Sequence, residues 1–111
     1  MEIYLKYYID KVMSKPVSVV IKKSSKPEKK LMAVFTLENG RKKTTHFGSA
    51  GMDDYTKTRN KEQRTRYLKR HRRNENWNNP VSAGALSRWI LWNKETRSGA
   101  LADYKRRFNL K

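Results

Sequence analysis

The chain has no cysteine. That removes disulfides and thiolate metal sites as sources of stability. It also has no apolar run approaching 18 residues, and its first stretch, MEIYLKYYIDK, carries too many charges for a signal peptide. The expectation is a soluble intracellular protein with no membrane partner. Acidic residues are scarce as well: 10 Asp and Glu stand against 27 Lys and Arg, a formal net charge of +17 with a sequence pI near 10.4. A balance this one-sided points to an anionic partner, whether nucleic acid, a membrane surface or an acidic protein. No internal repeat is visible, and no residue pattern calls for a cofactor or a small-molecule substrate.

At 111 residues the chain has the length of one domain, spanning 1–111, and can bury roughly two-thirds of its unfolded surface. Three Trp, six Tyr and three Phe give it the means to fill a core, which argues against disorder. The charge is unevenly spread. Of the eleven arginines, Arg41 alone precedes residue 56. Arginine offers a planar fork of donors that fits phosphate oxygens and base edges, whereas lysine is a solvated point charge. The second half is therefore the better candidate for contacts.

Residues 1–47 read as the β-rich half and 48–111 as the helical, Arg-rich half. EIYLKYYI (2–9) and VSVVIK (17–22) are strand candidates, followed by the basic loop KKSSKPEKK (22–30). LMAVFTL (31–37) and RKKTTHF (41–47) flank Glu38-Asn39-Gly40, and Asn-Gly between extended runs signals a type I′ hairpin. The 31–37 strand is apolar on both faces and so should be central. Gly48 and Gly51 then break the strand, and Asn60 to Gln63 matches a capping box that opens a helix over about 61–73. Ser82 should cap a second helix through about Trp92, with Leu86, Trp89 and Ile90 on its core stripe, and Thr96 or Ser98 a third to about Phe108, with Leu101, Tyr104 and Phe108 inward. The expected fold is α+β: a four-stranded antiparallel meander followed by three short helices.

The 57–73 stretch, KTRNKEQRTRYLKRHRR, holds nine Lys or Arg and one Glu. Its apolar residues are Tyr67 and Leu68, with His71 near them, so core packing alone cannot hold such a helix. A charge run is most often a solvated face, but a surface serving solubility alone normally mixes both signs. Arg64, Arg66, Lys69, Arg70, Arg72 and Arg73 are the first candidates for phosphate contacts, and Lys57, Arg59 and Arg88 the second. Trp77, in the polar loop NENWNN (74–79), either plugs the core or stacks on a base or an Arg plane. His46, Asp53 and Asp54 are the one His–carboxylate group near a bend. A metal nuclease needs such groups converged on one phosphate, and a simpler reading has an Asp capping the next turn and His46 completing a strand face.

His46-Phe47-Gly48, Gly51, Asp54-Tyr55-Thr56, Arg66-Tyr67 with Arg70-His71, Asn74-Glu75-Asn76-Trp77, Ser87 through Lys94 (SRWILWNK) and Lys105-Arg106-Arg107-Phe108 together resemble a family of small basic proteins of nucleocytoplasmic large DNA viruses. The resemblance covers roughly residues 41–108. It implies a place in the virion or viral factory, in host cytoplasm or nucleus, in contact with the genome, and it implies no enzymatic reaction. Charge and resemblance together lead to the expectation of a non-enzymatic, largely sequence-independent DNA-binding protein, with RNA as the other nucleic acid open to it, serving genome packaging or condensation. The alternative is a structural virion protein that binds an acidic capsid or core component or forms a homo-oligomer.

Overall fold

The computed structural model describes residues 14–111, and the strand expected over 2–9 lies outside the described residues. The class is α+β. The described residues form a three-stranded antiparallel sheet and four helices rather than four strands and three helices. Strands β1 (Pro16–Lys23), β2 (Lys29–Leu37) and β3 (Lys42–Ser49) lie in the order β1-β2-β3. As its two-sided apolar pattern predicts, β2 is central: Leu31, Ala33 and Phe35 are buried on one face, with Met32 and Val34 half-covered on the other. Register pairs Phe35 with Val19 and Leu31 with Phe47, so the buried side chains of all three strands meet on one face. Among the described residues, the outer edge of β1 is partly satisfied by Lys111. Val19 N–H donates to the Lys111 carbonyl, and Lys111 N–H donates to the Val17 carbonyl, both at 3.0 Å.

The β2–β3 connection corrects the type I′ expectation. Of its residues Gly40 alone has positive φ (84°), and Asn39 instead accepts the Arg41 N–H on its side chain at 2.9 Å. Leu37 N–H donates to the Arg41 carbonyl, which makes this the three-residue hairpin with a left-handed glycine at its close. The Asn-Gly pair specified a hairpin, and the Asx contact selected the longer type.

After β3 come α1 (Tyr55–Thr58), capped by Asp54, and α2 (Lys61–His71), capped by Asn60, whose side chain accepts the Gln63 N–H. The Gln63 side chain does not close the reciprocal half of the capping box. It pairs with the Thr58 hydroxyl at 2.9 Å, and that hydroxyl also accepts the Asn60 N–H. Helix α3 (Ala83–Leu86), capped by Ser82, runs directly into a π-helical turn over Ser87–Leu91, and α4 (Arg97–Arg107) is capped by Thr96.

The π-helical turn explains the one misplaced residue of the second helix's stripe, Trp89, since Leu86 and Ile90 are buried as expected. A π turn takes an extra residue and rotates everything after it about the axis. Trp92 N–H thus reaches the Ser87 carbonyl, five residues back. Ile90, Leu91 and Trp92 are buried, while Trp89, expected on the core stripe, packs at the edge of the core and stays partly exposed. Tyr104 and Ala100 of α4 are fully buried, and Leu101 and Phe108 pack at the margin. The Tyr104 hydroxyl donates to the Pro80 carbonyl at 2.6 Å, and burial raises its pKa above the usual phenol value.

Candidate nucleic-acid interface

Helix α2 is fixed through very few side chains. Tyr67 is its one buried residue, and the ring is stacked between His71 and Trp92 with both centroid distances at 4.2 Å. Leu68 adds a partly buried contact. With one narrow stripe inward, the rest of the circumference faces water, and Arg66, Lys69, Arg70, Arg72 and Arg73 are all exposed. They divide over two flanks. Arg66 and Arg70 border a shallow cleft with Met52 and Asp53. Lys69, Arg70, Arg72 and Arg73 line a broad groove whose far wall is Trp77, Arg88 and Trp89. Among the described residues, no carboxylate lines that groove.

The far wall is a stack of cations and rings. The Arg88 guanidinium carbon lies 4.1 Å from the Trp89 ring centre and 5.3 Å from that of Trp77, and Arg107 lies 3.7 Å from Trp89. Cation–π attraction offsets part of the repulsion between the two arginines. Arg88 also donates to the Trp92 carbonyl at 3.3 Å, and its buried Nε has no partner. Burial, together with the positive charge of Arg64 and Arg107, pushes the Arg88 pKa down to about 10, so it remains a cation at neutral pH. Arg64 donates to the same Trp92 carbonyl through Nε at 2.9 Å. These two arginines thus satisfy the carbonyl that the end of the π turn leaves open.

The tryptophans are oriented by hydrogen bonds. Trp77 Nε1–H donates to Glu75 Oε2 at 2.9 Å, Glu75 Oε1 pairs with His71 Nδ1 at 2.7 Å, and Trp89 Nε1–H donates to the Trp77 carbonyl at 2.9 Å. Gly84 leaves room for this carboxylate, because a Cβ there would stand 3.0 Å from Glu75 Oε2. Trp77 is half-exposed and is not among the side chains packed on the core cluster.

Behind α2, Asp54 anchors the segment that leads into it. The side chain is 1% exposed and accepts from Thr56 N–H, Lys57 N–H and the Thr56 hydroxyl. It forms an ion pair with Lys30 of β2 at 2.6 Å, with Arg97 at 3.9 Å. Burial alone would raise its pKa, but the hydrogen bonds from Lys30 and Thr56 and the charges of Lys30 and Arg97 hold it below the ordinary carboxylate value.

Of the residues singled out from the sequence, Lys69, Arg70, Arg72, Arg73 and Arg88 come together around one groove, and Arg66 shares the neighbouring cleft with Arg70. Arg64 is half-buried against Tyr55 and the Trp92 carbonyl. Lys57 pairs with Asp53 at 3.4 Å, and Arg59 ends α1 in the left-handed region at φ 54°. Both are exposed but line neither depression. His46, Asp53 and Asp54 do not converge: His46 Nδ1 pairs with the Ser24 hydroxyl at 2.7 Å, while the two aspartates serve Lys57 and Lys30. Sequence reasoning missed Arg107 as a neighbour of Trp89 and missed the Glu75 brace. Arg107 and Trp89 are far apart in sequence and are joined only by packing, whereas His71, Glu75 and Trp77 are near neighbours in the chain, and that closeness was the available signal.

Comparison with protein families shows that residues 19–71, from β1 to the end of α2, are similar to a family of unknown function, DUF5754. No curated protein and no solved structure matches the chain.

Proposed function

We propose that this protein binds nucleic acid without base-sequence preference, through the cations that α2 and the π turn present around the Trp77–Trp89 groove. The observation that carries the reading is the groove itself: Lys69, Arg70, Arg72, Arg73 and Arg88 border one depression that, among the described residues, no carboxylate lines. Such like charges repel one another unless an anion lies against them, and a polyphosphate backbone supplies anions at the right density. The arginine forks suit phosphate oxygens. The motif resemblance to proteins of large DNA viruses supports a genome as the natural partner, with packaging or condensation as the role, and the reading invokes no catalysis.

The test is fluorescence anisotropy of labelled duplex DNA titrated at several salt concentrations. If five to seven phosphates are neutralised, log Kd changes with log salt with a slope magnitude of about 5 to 6. Binding that is weak at low salt, or indifferent to salt, refutes the proposal. A stable oligomer in size-exclusion chromatography that ignores added DNA would favour self-association instead.

A further inference from the structure

We infer that Trp77 is a stacking platform for an unpaired nucleobase, so that the groove takes single-stranded nucleic acid through both its phosphates and its bases. This rests on the phosphate-binding reading above and adds a second recognition element to it.

Trp77 stands apart from the core cluster. A tryptophan in a domain of this size ordinarily contributes its large apolar area to the core. Trp77 sits in the polar 74–79 loop, stays half-exposed, and is absent from the side chains packed on the core cluster. Yet it is held in position. Its indole N–H is tied to Glu75, its carbonyl receives the Trp89 N–H, and the Arg88 guanidinium lies over the ring. An aromatic ring that is held in place while still partly exposed loses little further freedom when a ligand arrives, which lowers the entropic cost of binding.

The surroundings specify the ligand. Trp77 shares its groove with Lys69, Arg70, Arg72 and Arg73, which are exposed. A flat ring beside a cationic track is the combination that single-strand binders use, with the phosphates following the charges and the bases stacking on the aromatics. A paired duplex keeps its base faces stacked on each other and cannot offer one to Trp77 without paying for unstacking. An acidic peptide would match the charge but has no planar ring of base size in each repeat.

The experiment compares labelled 12-nucleotide strands by anisotropy at fixed salt: a DNA strand, an RNA strand of the same sequence, an abasic strand of equal length, and a duplex. The expected result is that base-bearing single strands bind about 5- to 100-fold more tightly than the abasic strand. The arm with the larger advantage identifies the preferred sugar. Trp77→Leu should bring the base-bearing single strands down to the affinity of the abasic strand, so that the ratio between them falls to about one whatever change the lost Arg88 contact makes to all four ligands. Trp77→Phe, which keeps a ring but loses the bond to Glu75, should retain most of it. Equal binding of base-bearing and abasic strands by the unmodified protein overturns the inference while leaving phosphate binding intact, as does a Trp77→Leu variant that weakens all strands alike. Failure of every strand and the duplex to bind would remove the phosphate-binding reading itself.

Discussion

Replacing Asp54 by Asn tests whether a buried charge pair fixes the segment that leads into α2. The substitution preserves the shape and leaves one side-chain oxygen to accept the Thr56 and Lys57 N–H groups, so the cap of α1 is largely kept. The charge is lost, and Lys30, whose side chain is 13% exposed, is left without its carboxylate. Breaking a fully buried pair from one side costs about 3–5 kcal/mol. Because Lys30 keeps some contact with water, the expected loss is about 2–3 kcal/mol, which for a domain of this size lowers Tm by about 10–15 °C. The pH dependence identifies the cause. The Asp54 pKa is lower in the folded chain than the ordinary carboxylate value. Its contribution is therefore fully present above the unfolded pKa of about 3.9 and is lost as pH falls through the folded value. Urea unfolding followed by tryptophan fluorescence at pH 7 and at several values below 5 should show the gap between wild type and Asp54→Asn closing as pH falls. Asp103, whose pKa is also lowered, remains in both proteins and leaves a shared slope. A gap below about 0.5 kcal/mol at pH 7, or one that does not change with pH, refutes the reasoning.

Gly48 has φ 77°, and a Cβ there would come within 2.8 Å of Leu91 Cδ1 and 3.3 Å of Lys30 Cβ. Gly48→Ala should therefore lose about 2–4 kcal/mol from backbone strain and overpacking, read from the urea midpoint. Ser82→Ala removes the acceptor of the Ala85 N–H at 3.1 Å and should cost about 1 kcal/mol in the same assay, with nucleic-acid affinity unchanged.

Much of this fold is readable in short-range patterns. The apolar run 31–37 marks the central strand, and Asn60, Ser82 and Thr96 each cap the helix they precede. These features depend on neighbours within a few residues. Phase is harder. The stripe through Leu86, Trp89 and Ile90 assumes an unbroken α-helical period, and across the π turn at Ser87–Leu91 Leu86 and Ile90 stay buried while Trp89 sits at the core margin. No residue type in that stretch announces a π turn. The candidate site divides in the same way. The exposed arginines of α2 follow from its lack of apolar residues, since nothing else could turn inward. Arg64 and Arg88 look equivalent to them as letters, yet each reaches the Trp92 carbonyl, a partner set by tertiary packing. The Glu75 brace is local in sequence to His71 and Trp77, and only the glycine at position 84 that makes room for its carboxylate is distant.

The most direct test of the central claim is the salt dependence of nucleic-acid affinity for wild type and for a variant carrying Lys69→Gln, Arg72→Gln and Arg73→Gln. These exposed residues line the groove and hold no part of the core, so the variant should keep its urea midpoint. If the groove binds phosphates, the slope magnitude falls by about 2 to 3 and affinity at low salt drops in step. An unchanged slope and affinity in the triple variant would contradict the assignment of this groove.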